Sequence, residues 1–404
     1  MHILLIHQAF AALDEPCGTR HHELARYFAS QGHRVTIIAS SISYLTGKSR
    51  QTRIPWVERQ MDGELITILR AYTYPALHRS FAFRILSFFS FMLSSFTVAL
   101  GVKNVDLVWG TSPPIFQGLT AWAVARLKRR PFLFEVRDLW PAFAVAVGVL
   151  RQPLLIRLSE GLERFLYRHA DQVVVNSPGY LQHVKDRGAA RVELVPNGTD
   201  PSMFNPTPDG TAFRQAHHLE GKFIALYAGA HGLSNDLQVV LEAARRVQTR
   251  KDIVIVLLGD GKDKPGLQAL AARDHQENVL FLPPISKLEM PSALAGADAC
   301  IAILKPLELY RTTYPNKVFD YMASGKPVIL AIDGVIRQVI EASSGGIAVP
   351  PGDPAALADA ILHLADHPEE GHLMGQRARV YVEAHFDRVN LASKFLELML
   401  SMVA

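Results

Sequence analysis

Short, continuous apolar runs alternate with helical patterns along this chain. In the first half the runs cover residues 2–7, 34–39, 65–69, 106–110, 131–135 and 172–176. The clearest helical patterns between them cover residues 19–31, 114–129 and 154–169. Apolar strands that alternate with helices indicate a parallel sheet covered on both faces. We therefore predict an α/β domain for the first half.

The second half repeats this rhythm with the runs FIALYAG, IVIVLLGDG, NVLFLPP, ACIAIL and PVILAID. Between the halves, residues 192–206 collect Pro, Gly, Asn and Asp, which is typical of a linker. We predict two doubly wound parallel-sheet domains, over residues 1–196 and 197–385, and a helical tail over 386–404. In such sheets ligands bind at the carboxyl ends of the strands, so the candidate residues are sought there.

Charge is divided unequally between the halves, although the 404 residues carry a net charge of only +4. Residues 1–196 contain 23 basic and 14 acidic side chains, and residues 197–404 contain 19 and 24. A basic first half favours an anionic partner, such as a membrane surface or a lipid diphosphate. Arg79, Arg84 and the cluster Arg126, Lys128, Arg129 and Arg130 are the candidate contacts, with a solvated helix end as the alternative for the cluster. No nucleic-acid-binding pattern accompanies them, so nucleic acid is not an expected partner.

The two cysteines, Cys17 and Cys300, lie far apart and form neither a zinc nor a redox pattern. The first residues, MHILLIHQAF, are typical of a buried strand and not of a signal peptide. We therefore expect a cytoplasmic protein, in peripheral contact with the inner face of the cytoplasmic membrane if the basic half binds lipid.

Residues 81–100, FAFRILSFFSFMLSSFTVAL, are long enough to span a bilayer. A polar stripe nevertheless recurs at three- and four-residue spacing, formed by Ser80, Arg84, Ser87, Ser90, Ser94 and Thr97. A helix with one polar edge would use such a stripe, whereas a lipid-bathed span would gain nothing from it. We predict a buried or surface-lying helix, and contact with a membrane interface stays open.

Two motifs of the first half follow strands. In CGTRHHELA, Gly18 permits close backbone approach, and Arg20 lies at the start of a helix whose amides can bind an anion. In FEVRDLWP, Glu135 and Asp138 could bind hydroxyls or take a proton, and Arg137 could hold a phosphate. An ordinary turn and a structural Arg–Asp pair are the respective alternatives.

The second half places glycine loops after its first two strands. YAGAHG contains Gly229 and Gly232, with His231 between them as a donor to a phosphate or a sugar hydroxyl. The next loop, LGDGKDK, contains glycines and basic residues that also fit a phosphate. Its candidates are Gly259, Asp260, Gly261 and Lys264. A solvated histidine and surface lysines are the alternatives.

The block YPNKVFDYMASGKPVI, residues 314–329, is the most informative. Pro315 suits the first turn of a helix, so the amides near Asn316 and Lys317 would be available to an anion. Lys317 adds positive charge there, and Asp320 lies one turn further along, where a carboxylate can accept two hydroxyls. Together these residues describe a site for a diphosphate attached to a ribose, with an ordinary capped helix as the alternative.

These motifs, in this order, resemble the retaining glycosyltransferases of family 4, and most closely the branch that includes N-acetylfucosamine- and colanic-acid-type transferases. The resemblance implies the GT-B fold, in which two Rossmann-like domains face a central cleft and the C-terminal helix returns to the first domain. It implies that the second domain binds the nucleotide sugar and the first binds the acceptor. It also implies that Gly259–Gly261, Pro284 and Ile285 hold the uracil, and that Asp320 holds the ribose hydroxyls.

The resemblance has departures. The first acidic residue of the family's pair falls on Thr312, with Glu308 near enough in sequence to replace it as a contact for the donor sugar. The basic residues common in the first glycine loop are missing, and a histidine of the first domain aligns with Arg137. Asp138 follows at a position where the family has Asp, and Glu135, Arg137 and Trp140 are the candidate acceptor contacts.

We therefore expect transfer of a hexosyl or N-acetylhexosaminyl group from a UDP-sugar to a glycan or polyprenyl-diphosphate-linked acceptor, with retained anomeric configuration. Lys317, Arg137 and Asp138 are the candidate catalytic residues, and neither a cofactor nor a metal is expected. Two alternatives stay open. One is a GT-B epimerase or hydrolase of nucleotide sugars, and the other is a non-catalytic partner subunit, which the departures at Thr312 and the glycine loop motivate.

Overall fold

The computed structural model describes residues 1–43, 47–49, 52–75, 81–204 and 209–404. The chain forms two compact units. The first contains Met1–Ala12, Gly18–Pro196 and Val389–Ala404, and the second contains Leu13–Cys17 and Asn197–Arg388. Arg79 and Ser80, two of the residues named above, lie outside the described residues.

The first unit is built on an eight-stranded sheet. Its strands are β1 (His2–Ile6), β2 (Arg34–Ser40), β3 (Val57–Asp62), β4 (Ile66–Ala71), β5 (Leu107–Ser112), β6 (Phe132–Val136), β7 (Gln172–Val175) and β8 (Val192–Leu194). They lie in the order β3-β4-β2-β1-β5-β6-β7-β8, and all neighbours are parallel except β3 and β4. The order changes direction beside β1, so the carboxyl ends of β1 and β5 flank a switch point, where ligands bind in such sheets.

Among the described residues, six α-helices connect the strands of this unit. They are α1 (Arg20–Ser30), α2 (Phe81–Gly101), α3 (Phe116–Lys128), α4 (Ala142–Ala146), α5 (Pro153–His169) and α6 (Leu181–Asp186). The predicted linker at 192–206 differs from the structure at its start, because Val192–Leu194 pairs with β7 as an edge strand. Thr199 is also fully buried.

Helix α2 turns its serine stripe inward. Ser87 and Ser94 are fully buried. The Ser94 hydroxyl donates to the Tyr72 carbonyl at 2.6 Å, and the Ser90 hydroxyl accepts from the Tyr74 amide at 2.8 Å. The hydroxyls therefore satisfy backbone groups of the segment after β4. The stripe gives α2 a polar edge, as predicted, but the side that faces outward is the apolar one.

The second unit contains a six-stranded parallel sheet in the order β11-β10-β9-β12-β13-β14. Its strands are β9 (Phe223–Ala228), β10 (Ile253–Leu258), β11 (Val279–Leu282), β12 (Ala299–Ile303), β13 (Val328–Ala331) and β14 (Gly346–Ala348). Its helices are α7 (Thr211–Ala216), α8 (Leu237–Val247), α9 (Lys264–Arg273), α10 (Met290–Ala295), α11 (Asn316–Ala323), α12 (Val335–Ser343), α13 (Pro354–Asp366) and α14 (Pro368–His385). The switch point lies between β9 and β12, and the first predicted glycine loop begins at the carboxyl end of β9.

The last helix, α15 (Arg388–Val403), contributes to the first unit from Val389 onward. Phe395 is fully buried there, with its ring centroid 5.1 Å from that of Trp109 and 6.1 Å from that of Phe28. The fold class is therefore confirmed, with two Rossmann-like parallel-sheet domains and a C-terminal helix that returns to the first.

Candidate active site

The loops that follow β9 and β10 pack backbone against backbone. Gly259 has a φ of +148°, and a Cβ added to it would lie 1.9 Å from the Gly229 carbonyl oxygen. The His231 amide donates to the Asp260 carbonyl at 2.8 Å, and the Gly261 amide donates to the Asp260 carboxylate at 2.8 Å. The glycines are therefore required by contact between the two loops, and they keep side chains away from the switch point.

Lys317 lies beside these loops at the start of α11. Its Nζ is buried and has no hydrogen-bond partner within the described part of the chain. It lies 3.9 Å from the centroid of the Tyr227 ring, and a Cβ on Gly229 would come within 2.6 Å of it. Burial lowers the pKa of Lys317 to about 7. A buried ammonium with no counter-charge is costly, so this position calls for an anion.

His231 is the second unsatisfied group in this place. The residue is fully buried, and neither ring nitrogen has a partner among the residues that the structure describes. Burial lowers its pKa to about 4, with contributions from the Lys264 and Lys317 charges. The ring is therefore neutral near pH 7 and can donate one N–H to a phosphate oxygen or a hydroxyl.

The entry to α11 is held from both sides. Pro315 precedes the helix with extended backbone, so the amides of Asn316 and Lys317 have no intrahelical acceptor. The next amide, that of Val318, donates to the Pro315 carbonyl at 3.2 Å. The Asn197 amide donates to the Tyr314 carbonyl at 2.7 Å, and Arg388 donates to the Asn316 side-chain oxygen at 3.2 Å. These contacts fix the helix start that the sequence predicted as an anion site.

Asp320 lies one turn further, and both of its oxygens have protein partners. Thr199 Oγ1 donates to Oδ1 at 2.8 Å, and Lys287 Nζ lies 2.6 Å from Oδ2. Lys287 is buried, and its ammonium lies 4.7 Å from the Phe204 ring centroid. Because each carboxylate oxygen has a second lone pair, Asp320 can still accept hydroxyls while it is held in this orientation. Neither Lys287 nor Thr199 was predicted from the sequence.

Lys264 supports the loops. Its Nζ donates to the Gly259 carbonyl at 2.7 Å and to the Leu282 carbonyl at 2.8 Å. It therefore ties the loop after β10 to the end of β11, immediately before Pro284 and Ile285.

Gly232 lines a separate cavity of about 600 Å³, whose wall includes Asp236, Lys262 and Lys305.

Glu308, the candidate contact for the donor sugar, lies between β12 and α11. Its side chain is exposed and forms an ion pair with Arg311 at 3.1 Å. It begins the 3-10 turn Glu308–Thr312, in which Thr312 Oγ1 donates to the Leu309 carbonyl at 2.6 Å. Both of these contacts lie within the turn itself.

In the first unit, Arg20 and Glu135 form one buried cluster with His21. Arg20 Nε lies 3.1 Å from Glu135 Oε1, and His21 Nε2 lies 2.7 Å from Glu135 Oε2. Arg20 also donates to the carbonyls of Val195 and Pro196 at 3.0 and 2.9 Å. Burial alone would raise the pKa of Glu135, but the charges of His21 and Arg20 lower it to about 2.

This cluster contradicts two predicted roles. Because the Arg20 guanidinium is committed to Glu135 and two carbonyls, it does not fit a ligand of the donor diphosphate. Because Glu135 is fully buried and both of its oxygens are paired, it does not fit an acceptor contact. The pairing of Arg20 with Glu135 could not be predicted from the sequence, because the two residues are 115 positions apart.

Apart from Gly18, which precedes α1, the remaining candidates of the first unit follow β6. Arg137 Nε donates to the Ser112 carbonyl at 3.0 Å, at the end of β5. Burial raises the pKa of Asp138 to about 7, although the charge of Arg137 opposes this. The Trp140 ring packs edge-on against Phe116, with the centroids 5.6 Å apart. A Cβ added to Gly18 would meet no described atom within 4 Å, so the space beside it is open.

His7, which follows β1, was not predicted. It is fully buried, and neither ring nitrogen has a partner within the described residues. Its ring centroid lies 4.3 Å from that of His21. Burial lowers its pKa well below the ordinary value, so the ring is neutral near pH 7. The carboxyl ends of β1 and β6 thus carry an unsatisfied imidazole, a guanidinium and a carboxyl group with a raised pKa.

Two known domain families match the two halves of the chain. Residues 17–198 match the family described as Glycosyl transferase 4-like domain, and residues 222–367 match the one described as Glycosyl transferases group 1. The chain belongs to the glycosyltransferases of the GT-B type. In this glycosyltransferase Lys317, His231 and Asp320 lie within the matched group 1 domain. Arg137 and Asp138 lie within the matched 4-like domain.

Individual proteins resemble this glycosyltransferase over nearly its whole length. WcaI of Escherichia coli (strain K12), which is named for glycosyl transfer in colanic acid biosynthesis, is 22% identical over 93% of each chain. The fold matches sucrose-phosphate synthase from Thermosynechococcus elongatus with a TM-score of 0.81 at 19% identity, over 99% of this chain and 98% of that one. It matches Anabaena HepE in complex with UDP-glucose with a TM-score of 0.73 at 17% identity, over 99% and 100%.

Proposed function

We propose that this glycosyltransferase transfers a sugar from a UDP-sugar to a lipid-linked glycan, with retained anomeric configuration and without a metal ion. The observation that carries the donor assignment is the buried, unpartnered ammonium of Lys317 beside two glycine loops and the start of α11. A diphosphate would supply the missing anion and would occupy the helix-end amides. The ribose would then lie toward Asp320, one helical turn away.

The same groups stabilise the leaving group. When the bond between the sugar and the phosphate oxygen breaks, negative charge develops on the β-phosphate. Lys317 and the first-turn amides of α11 are already oriented and need no rearrangement to meet this charge. They therefore stabilise the transition state more than the bound donor, which is the requirement for catalysis. His231 would add one neutral N–H.

The acceptor side belongs to the first domain. Arg137 and Asp138 follow β6, and Trp140 adds an aromatic surface. The pKa of Asp138 is about 7, so its carboxyl group exists in both forms near neutral pH. The protonated form can donate a hydrogen bond to a hydroxyl of the acceptor, and the carboxylate can accept one from it. In the retaining reaction that the family resemblance implies, the leaving phosphate takes the proton of the attacking hydroxyl. Asp138 is thus assigned to positioning.

Two resemblances support the choice of donor and acceptor. The Anabaena neighbour was solved with UDP-glucose, which favours a uridine nucleotide here. The relative named for colanic acid biosynthesis favours an acceptor in the assembly of a cell-surface polysaccharide. Hexosyl and N-acetylhexosaminyl donors both fit this proposal.

Titration of the protein with UDP and GDP tests the donor site, with Lys317→Met and the exposed Lys262→Met as matched variants. We expect UDP to bind more tightly than GDP, and Lys317→Met to weaken UDP binding at least about tenfold, as loss of a charge-assisted contact does. Lys262→Met should bind as wild type does. A complete lack of UDP binding would instead support a non-catalytic partner subunit.

Incubation with UDP-sugars tests the reaction class. With a polyprenyl-diphosphate-linked glycan we expect UDP and an extended glycan, and chelation of divalent metals should leave the rate unchanged. Without an acceptor, UDP release should be slow. Rapid release of free sugar, or of an epimerised sugar, would favour the hydrolase or epimerase alternative.

A further inference from the structure

The outward side of α2 is an exposed apolar surface. Phe83, Leu86, Phe89, Leu93 and Leu100 lie along one side of the helix and are 39% to 62% exposed. They recur at three- to seven-residue spacing over a distance of about 26 Å at the rise of an α-helix. Soluble proteins rarely leave large apolar patches uncovered, so this row of exposed apolar side chains indicates an interaction surface.

The other side of α2 is tied into the first unit. Phe91 and Ala99 are fully buried, and the Ser90 and Ser94 hydroxyls bond the backbone of the segment after β4. Residues Phe83–Gly101 could cross a membrane by length and composition, with a mean hydropathy of 1.6. Crossing would break these contacts, however, so the helix suits a surface that covers only its outer side.

Basic residues lie beside the end of this surface. Lys128 Nζ, at the end of α3, donates to the carbonyls of Leu100 and Val102 at 3.1 and 2.6 Å, which places the end of α3 next to the end of α2. Leu127 is 64% exposed there. Arg126, Arg129 and Arg130 are also exposed. Neither helix contains an acidic residue.

We infer that this face, formed by Phe83, Leu86, Phe89, Leu93, Leu100 and Leu127 with the basic end of α3, docks on an anionic lipid bilayer. Apolar side chains would enter the boundary between headgroups and acyl chains, and the arginines would meet lipid phosphates. A second copy of this chain is a poorer fit, because its α2 and α3 offer no acidic partner to the arginines. The inference goes beyond the proposed function and does not depend on which donor is used.

Flotation of the full-length protein with vesicles tests the inference. The vesicles contain phosphatidylcholine either alone or with phosphatidylglycerol. We expect the protein to float with the anionic vesicles and to be released by high salt. Phe89→Ser/Leu93→Ser should reduce the bound fraction at least about tenfold. The matched control, Leu373→Ser/Val380→Ser, removes apolar side chains that are 52% and 67% exposed in the second unit, and it should float as wild type does.

Charge is tested separately with Arg129→Asn/Arg130→Gln, which should weaken binding to anionic vesicles and flatten its salt dependence. Circular dichroism melting verifies that each variant is folded, and Leu86→Ser/Leu100→Ser repeats the apolar test at other positions. Flotation of both apolar double variants at the wild-type level would overturn the inference. A wild-type dimer in sedimentation that becomes monomeric in Phe89→Ser/Leu93→Ser would also overturn it, because a second copy would then cover the face.

Discussion

The ammonium of Lys287 lies 2.6 Å from Oδ2 of Asp320, and both side chains are almost fully buried. Lys287 comes from the loop after β11, and Asp320 comes from α11. The pair therefore connects the loop that is expected to hold the base with the residue that is expected to hold the ribose. Thr199 completes the arrangement at the other carboxylate oxygen. Lys287 is thus a positioning residue for the proposed nucleotide site.

Lys287→Met should lower the free energy of unfolding by about 3 kcal/mol, because it leaves the Asp320 carboxylate buried without its counter-charge. Urea denaturation measures this loss, and the exposed Lys262→Met is the control. The variant should also discriminate less between UDP and 2′-deoxy-UDP, because the carboxylate is no longer held in place. Equal stability and equal discrimination in both variants would contradict the positioning role.

Binding of UDP should take up a proton above neutral pH. The pKa of Lys317 is about 7 without a ligand, so the amine is mostly neutral at pH 8. A bound diphosphate favours the ammonium and raises this pKa, so the proton is taken up on binding. Affinity should fall by up to about tenfold per pH unit above pH 7. Calorimetry at pH 8 in buffers of different ionisation enthalpy measures the uptake.

Lys317→Met should abolish this proton uptake and remove most of the pH dependence of UDP binding. His231 does not replace it, because its pKa of about 4 keeps the ring neutral over this range. Unchanged proton uptake in Lys317→Met would place the diphosphate elsewhere.

Gly259→Ala should prevent the two glycine loops from packing. The added Cβ would lie 1.9 Å from the Gly229 carbonyl oxygen, and the φ of +148° disfavours any side chain. We expect a destabilisation of more than about 2 kcal/mol and loss of UDP binding. Gly266→Ala is the matched control, because a Cβ there meets nothing within 4 Å. Its position in α9 predicts a gain of about 0.5–1 kcal/mol. Thermal melting with and without UDP compares the two.

Glu135→Gln should destabilise the first unit by about 3 kcal/mol, because Arg20 stays buried and loses its counter-charge. The folded-state pKa of Glu135 is about 2, below the ordinary 4.5. Its contribution is therefore complete above pH 4.5 and is lost as the pH falls toward 2. Wild type should lose stability more steeply than Glu135→Gln over this range in urea denaturation. The exposed Glu64→Gln should follow wild type, and a parallel loss in Glu135→Gln would argue against the ion pair.

Most of the fold was predictable because the signal is local. Apolar runs that alternate with helical patterns are read directly from the chain, and they correspond to most of the parallel strands. Strand β3 was not predicted, because its sequence, VERQMD, is largely polar. The strand lies at the sheet edge and pairs only with β4. Strands β8 and β14 have three residues each and depend on their neighbours for pairing.

Candidate site residues could be predicted from the sequence only where one short segment contains all of them. Pro315, Lys317 and Asp320 lie within six residues of one another at one helix start, so their spacing alone predicts an anion site there. The partners of Arg20 and Asp320 are set by the tertiary fold. They lie far from these residues in the sequence, so no local pattern predicts the pairs. For α2 the stripe was recognised, but which side faces outward depends on the carbonyl of Tyr72 and the amide of Tyr74, which the serines satisfy.

The contribution of α15 to the first unit has a consequence for biosynthesis. Trp109 and Phe28 belong to the half of the chain that the ribosome makes first, yet Phe395, which covers them, follows the whole of the second unit in the sequence. The first domain therefore cannot bury this part of its core while it is being translated, and it must wait until the second domain has been synthesised. Premature termination before α15 would leave an aromatic surface open to chaperones and proteases.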